Sequence, residues 1–146
     1  MQRLFGTNGV RGVTNESMTV ELAVKLGKAV GSYVQGNIAL ATDTRTSSGM
    51  LKNAVTAGLL STGCNVYDAG VAPSPALQYY VKRSEADAGV IITASHNPPE
   101  FNGIKVVDAD GTELPREKEE KIEELYFSGR FQLADWKEIG TLYDVE

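Results

Sequence analysis

The segment Thr93-Ala94-Ser95-His96-Asn97-Pro98 places a hydroxyl nucleophile beside an imidazole and an amide. It directly follows an apolar run, Ala88-Gly89-Val90-Ile91-Ile92, which reads as a buried strand. A small polar segment ending in proline cannot extend that strand. It must turn out at the strand's end and present Ser95 and His96 together. Loops outside the carboxyl ends of strands are where open α/β sheets bind ligands. A serine presented there is a candidate for covalent chemistry. The same residues also suit a plain strand-end turn with local backbone hydrogen bonds. Asn102-Gly103 and Lys105 return amide groups and a cation to the same strand ends.

Two further segments have the composition of anion sites. Phe5-Gly6-Thr7-Asn8-Gly9-Val10-Arg11-Gly12 has glycine at every third position, which lets the backbone approach a ligand closely. It is neither a dinucleotide fingerprint nor a P-loop, because the spacing differs and no strand precedes it. It reads either as a hairpin around Asn8-Gly9 or as a phosphate loop carrying Arg11, whose guanidinium suits bidentate contacts. Thr42-Asp43-Thr44-Arg45-Thr46-Ser47-Ser48 leaves a strand and enters a helix N-terminus. Such a terminus serves either as an anion site or as a capping segment with an Asp43–Arg45 contact. Arg11, Arg45, His96 and Lys105 all fall on loops at one expected edge of a sheet. A local cationic pocket on an acidic chain, of net charge −5, suits a phosphorylated ligand. A phosphoserine, carrying about −1.5 to −2 charges, would need the same neighbours.

The elements that must position these groups alternate between helix and strand. Helices are expected from Val20 to Val34 behind Thr19 as N-cap, from about Gly49 to Thr62, from Pro73-Ser74-Pro75 to about Lys82, and from Pro115 to about Tyr126. Gly36 and Asn37 should stop the first helix and Gly63 the second. Strands are expected at 38–42, 65–68, 88–92 and 104–108, with a tight turn at Asp110-Gly111. The pattern predicts a three-layer α/β/α domain with a mixed, mostly parallel sheet. The strands flanking the Ser95 loop lack room for a crossover helix and should be antiparallel. The last helix should show a solvated face with a Glu117–Lys121 pair. The tail from Gly129 has no periodicity, but its Trp136, Ile139, Leu142, Tyr143 and Val145 should pack on something.

With 146 residues and 42% hydrophobic content, the chain is expected to be one soluble domain. Its acidic balance argues against nucleic acid or an anionic membrane as main partner. No apolar run is long enough to span a bilayer, and the first residues lack a signal-peptide core. The single cysteine, Cys64, excludes an internal disulfide and should be a buried small hydrophobe. A cytoplasmic setting is expected, and the Asn15-Glu16-Ser17 sequon is a chance match.

The three motifs, in this order and with Asn102-Gly103-Ile104-Lys105 after the serine loop, resemble those of the α-D-phosphohexomutases. The resemblance covers nearly the whole chain. It implies an isomerase acting on a phosphorylated hexose through a phosphoserine and a bisphosphorylated intermediate. Ser95 would be the phosphorylated serine and, through its phosphate, a ligand of Mg²⁺. Arg11 and Lys105 would neutralise the transferred group, with His96 shaping the loop and assisting proton transfer. Thr7, Arg45, Asn97 and Asn102 would bind phosphate or substrate. No Asp-Gly-Asp-Gly-Asp-Arg metal loop is found, and Asp108-Ala109-Asp110-Gly111 is a poor substitute. The chain resembles the catalytic-serine domain alone, so the remaining mutase domains are expected partners, in cis or in trans. Alone it should not complete a mutase cycle, and it should self-associate through surface those domains would cover. The alternative is a non-catalytic module that binds phosphate or sugar phosphate.

Overall fold

A computed structural model describes residues 3–145. In chain order the elements are β1 (Val10–Val13), α1 (Val20–Val34), β2 (Asn37–Thr42), α2 (Ser48–Ser61), β3 (Asn65–Val71), α3 (Ser74–Arg83), β4 (Ala88–Ile92), β5 (Phe101–Asp108), α4 (Arg116–Ser128), a 3₁₀ turn (Trp136–Glu138) and β6 (Leu142–Asp144). The strand order is β1-β5-β4-β2-β3-β6. β4, β2, β3 and β6 pair in parallel, while β5 runs antiparallel to both β4 and β1. The β4–β5 connection is too short for a crossover, which is why this pair runs antiparallel.

Period-two alternation sorts the strands' side chains between two helical layers. Ile38, Leu40, Val90, Ile92, Ile104 and Val106 pack with Leu26, Val30, Leu51, Leu59 and Ile122 of α1, α2 and α4. Ala39, Ala41, Ile91 and Val107 face the opposite way, onto Leu77 and Val81 of α3. Central strands buried on both faces must be apolar throughout, and β4 is buried at every position. The helix starts follow from local chemistry. The Thr19 hydroxyl accepts from Leu22 N at 3.1 Å, and Pro73 and Pro115 lead into α3 and α4. α1 ends at Val34, two residues before Gly36, because Gln35 itself takes the left-handed conformation, with φ 52°. α1 and α2 meet at Gly27 and Gly58, where a methyl group on either would strike the other helix's backbone.

Two strands have no counterpart in the sequence pattern. β1 is a four-residue edge strand made from the second half of the glycine-rich segment. The turn expected around Asn8-Gly9 survives in miniature, with Gly6 N donating to Gly9 O at 2.8 Å. β6 lies in the tail and is held mainly by its backbone. Val66 N donates to Thr141 O, Val145 N to Asp68 O and Gly140 N to Leu60 O. Tyr143 stacks on Tyr67 at 5.0 Å, but Trp136, Ile139 and Leu142 remain exposed. Cys64 is buried.

On α4 the ion pairs differ from the expected Glu117–Lys121 contact. Arg116 pairs with Glu119 and Glu123, and Lys118 reaches Asp108 at 2.7 Å. Glu123 is 1% exposed, so this helix is more than a solvated face. Its carboxylate accepts from the Leu4 and Phe5 amides at 2.7 and 2.9 Å and from Arg116. It thereby seats Phe5 in the core and fixes where the glycine-rich segment starts. Burial pushes its pKa up, but the bonds from Arg116 and the two amides outweigh burial and hold it below the ordinary value. A depressed carboxylate stabilises the fold above its unfolded pKa and loses that contribution as pH falls through the folded one. Glu123→Gln should therefore cost about 1–2 kcal/mol in urea unfolding near neutral pH, because the Leu4 and Phe5 amides exchange a charged acceptor for a neutral one. The gap to wild type should begin to narrow as pH falls below about 4.3, the unfolded value, and close only below the lower pKa that Glu123 has in the fold.

Candidate active site at the Ser95 loop

The loop is built where β4 runs out. Thr93 N still donates to Gly103 O of β5 at 3.0 Å, and buried Ala94 anchors the chain to the core. Ser95 then turns away at φ 52°, a left-handed conformation that non-glycine residues rarely adopt. Its N–H donates to Thr93 Oγ1 at 3.1 Å, and Asn97 N closes a turn onto Ala94 O at 3.0 Å. Ser95 and His96 are consequently exposed side by side at the carboxyl end of β4.

Arg11 reaches this loop from β1. It sits opposite Gly103 in the antiparallel register. Its stem occupies the space beside Gly103, where an added Cβ would come 2.9 Å from Arg11 Cγ and 2.7 Å from Thr93 O. The guanidinium donates from Nη2 to Ser95 Oγ at 3.2 Å, from Nη1 to Ala94 O at 3.1 Å and to Asn97 Oδ1, and from Nε to Asn8 O at 3.1 Å. One of its five donors stays uncommitted, on the nitrogen beside the serine oxygen.

The other predicted residues divide into three places. Arg45 lies behind the loop, and every one of its donors is used: Nη2 on Ser95 O and Asn97 O, Nη1 on Pro98 O and Phe101 O, and Nε on Asp43. Asn102 is buried, donating to Ser47 Oγ and Ser48 Oγ at 2.8 and 3.0 Å, which ties β5 to the start of α2. Lys105 shares a sheet face with Arg11, two residues beyond Gly103. Its Nζ pairs with Glu113 at 2.8 Å, in a recess of about 230 Å³ that Thr7, Gly6 and Gly9 also line.

Asp43, which the sequence placed only in a surface contact, is bonded at both carboxylate oxygens. Its Oδ1 accepts from Ser48 Oγ at 2.6 Å and from Arg45 N at 3.0 Å. It thereby ties the end of β2 to the Ser48 hydroxyl at the start of α2. Burial raises its pKa, while bonds from Ser48, the Arg45 amide and Thr93 and the Arg45 charge prevail and lower it. The signal was the Asp-x-Arg spacing at a strand–helix junction. Among the described residues no group of three or more His, Cys, Asp or Glu could hold a metal ion. No helix among them is long and apolar enough to cross a membrane.

The same architecture occurs in solved structures. A putative phosphomannomutase from Thermus thermophilus superimposes with a TM-score of 0.84 at 30% identity, over 97% of this chain and 32% of that one. A phosphoglucomutase/phosphomannomutase family protein from Burkholderia thailandensis shares the fold, with a TM-score of 0.88 at 24% identity, over 98% of this chain and 33% of that one. The family described as phosphoglucomutase/phosphomannomutase, alpha/beta/alpha domain I, matches residues 2–133, and the chain belongs to it.

Among curated relatives, a probable phosphoglucosamine mutase of Pyrococcus horikoshii is 52% identical over 97% of this chain and 32% of its own length. A phosphoglucosamine/phosphogalactosamine mutase of Sulfurisphaera tokodaii is 52% identical over 97% of this chain and 31% of its own length. A phosphopentomutase of Thermococcus kodakarensis is 54% identical over 99% of this chain and 32% of its own length. The chain spans about a third of the length of these relatives.

Proposed function

We propose that residues 1–146 form the nucleophile-bearing domain of a phosphohexomutase, with Ser95 as the residue that carries the phosphoryl group. The observation that supports this most is the strained, exposed Ser95 whose Oγ lies 3.2 Å from an arginine nitrogen with a donor to spare. Backbone strain at a loop tip is retained where the surroundings over-determine it, and such places cluster at active sites. In the proposed reaction the Oγ–P bond of phosphoserine breaks as a P–O bond forms to a hydroxyl of a hexose phosphate. The hydroxyl proton passes to a base, for which exposed His96 is this loop's candidate, and the released Ser95 oxygen takes up a proton to become a free hydroxyl. The bisphosphate turns over, and the reverse exchange returns the other phosphoryl group to Ser95.

Phosphoryl transfer depends on positioning and charge neutralisation. Arg11 supplies both at the serine. Lys105 adds a second cation, as the diagonal neighbour of Arg11 on the same sheet face. Asn97 orients Arg11, and Thr7 lines the recess on the substrate side. Mg²⁺ bound at the phosphoserine would need its remaining ligands from outside residues 3–145. The relatives' names range over amino-hexose, hexose and pentose phosphates, and a phosphorylated hexose is the substrate proposed here. A cytoplasmic setting fits such a substrate.

The carrying experiment is intact mass after incubation with a hexose 1,6-bisphosphate and Mg²⁺. One phosphoryl adduct on the chain is expected. A chain left unmodified even when the rest of a homologous mutase is supplied in trans would instead support a binding module.

The exposed side chains of the tail, led by Trp136 at 79%, form the surface proposed to face the remaining mutase domains. Separated from them, the chain should self-associate. Sedimentation velocity over a concentration series should show a weight-average mass that rises with loading, and strictly monomeric behaviour would contradict this.

A further inference from the structure

We propose that Arg45 is a positioning residue that holds the Ser95 loop in shape from behind and does not bind the ligand's phosphate. This rests on the reading of Ser95 as the phosphoryl carrier.

The loop leaves the sheet ladder between β4 and β5, so its carbonyls must find donors elsewhere. One planar guanidinium serves four of them. Nη2 takes Ser95 O at 3.0 Å and Asn97 O at 2.8 Å, and Nη1 takes Pro98 O at 2.6 Å and Phe101 O at 3.1 Å. The group therefore bridges the loop from its nucleophile to the first residue of β5. Its fifth donor, on Nε, meets Asp43 Oδ2 at 3.2 Å, and Asp43 is itself fixed by Ser48. The side chain is 14% exposed, so it stands largely out of water.

The Ser95 peptide is gripped on both sides. Thr93 Oγ1 takes its N–H, and Arg45 takes its carbonyl. That pair of contacts opposes the return of Ser95 from the left-handed region to its preferred conformations. Arg11 is the contrasting case, since it keeps a donor free on the serine side. The two arginines thus divide the work, with Arg11 facing the transferred group and Arg45 the loop's backbone. A lysine in place of Arg45 offers three donors from one point and cannot span the same four carbonyls.

The test uses Arg45→Lys, which keeps the charge and removes the fork, with amide hydrogen exchange and Ser95 phosphorylation read on the same protein. Exchange of the Asn97 amide should rise about tenfold or more. The maximal rate of phosphorylation by a hexose bisphosphate should fall by a similar factor, with the half-saturating concentration changed less than about threefold. Unchanged exchange would overturn the proposal, and so would a tenfold rise in half-saturating concentration at unchanged maximal rate. If Arg45→Lys does not fold, Asp43→Asn removes one of the anchors and should raise exchange about threefold by the same logic. If the wild-type chain accepts no phosphoryl group even with the rest of a homologous mutase supplied in trans, the reading of Ser95 fails, and the exchange measurement still decides the role of Arg45.

Discussion

Ser95→Ala should fold as wild type and take up no phosphoryl group from a hexose bisphosphate. The side chain is exposed, and its Oγ contact to Arg11 is long and solvent-facing, so its removal should change stability by no more than about 0.5 kcal/mol. The oxygen proposed to form the Oγ–P bond is nevertheless gone, and no other hydroxyl contacts Arg11 among the described hydrogen bonds. Ser95→Thr is the sharper variant, because it keeps the hydroxyl. A β-branched residue at φ 52° is a steric outlier, so the loop must shift or the rotamer must change. Misplacing a reacting atom by about 1 Å costs about a hundredfold in rate. Phosphorylation of the threonine variant should therefore slow by at least about that factor, read by intact mass over time. A threonine variant phosphorylated at the wild-type rate would mean that the left-handed backbone does not set the hydroxyl's position. An alanine variant that still gains a phosphoryl group would move the nucleophile elsewhere.

The serine loop was legible because two local signals coincide there. An apolar run short enough for a strand meets a polar segment that proline prevents from pairing. The antiparallel return of β5 followed from connection length alone. What sequence could not convey was direction. Arg45 and Asn102 have the residue types of ligand contacts, and both lie next to the loop, but their donors turn inward onto carbonyls and hydroxyls of the protein. Which backbone groups lack a partner is decided only when β4, β5 and α2 come together. Glu123 was hidden for a related reason. A glutamate within the charged run 116–124 looks like solvated surface until the Leu4 and Phe5 amides arrive from the far end of the chain. β1 and β6 escaped notice because edge strands of four and three residues carry too little alternation to register. β1 matters most, since it turns a glycine-rich segment into the rail that delivers Arg11.

Arg11→Lys should lower the rate of Ser95 phosphorylation by about a hundredfold to a thousandfold, the range for losing a preorganised donor at a developing charge. Geometry sets this loss, since lysine keeps the positive charge. Arg11 meets Asn8 O, Ala94 O, Asn97 Oδ1 and Ser95 Oγ at once, and its remaining donor lies beside the serine oxygen. That closure is possible only for a planar fork whose stem lies over Gly103. An ammonium on a flexible stem can reach the loop or the phosphoryl group, but it cannot hold both in a fixed relation. If Arg11 served only as background charge, lysine would preserve most of the rate and the loss would shrink further at low salt. If it acts as the fork the structure displays, the loss should persist across ionic strength and fall on the maximal rate. Asn97→Ala should then cost little more once Arg11 is already lysine, because the contact that Asn97 makes to the guanidinium has gone. Near-additive losses in that double-mutant cycle would separate the two residues and leave Asn97 a role of its own in the loop.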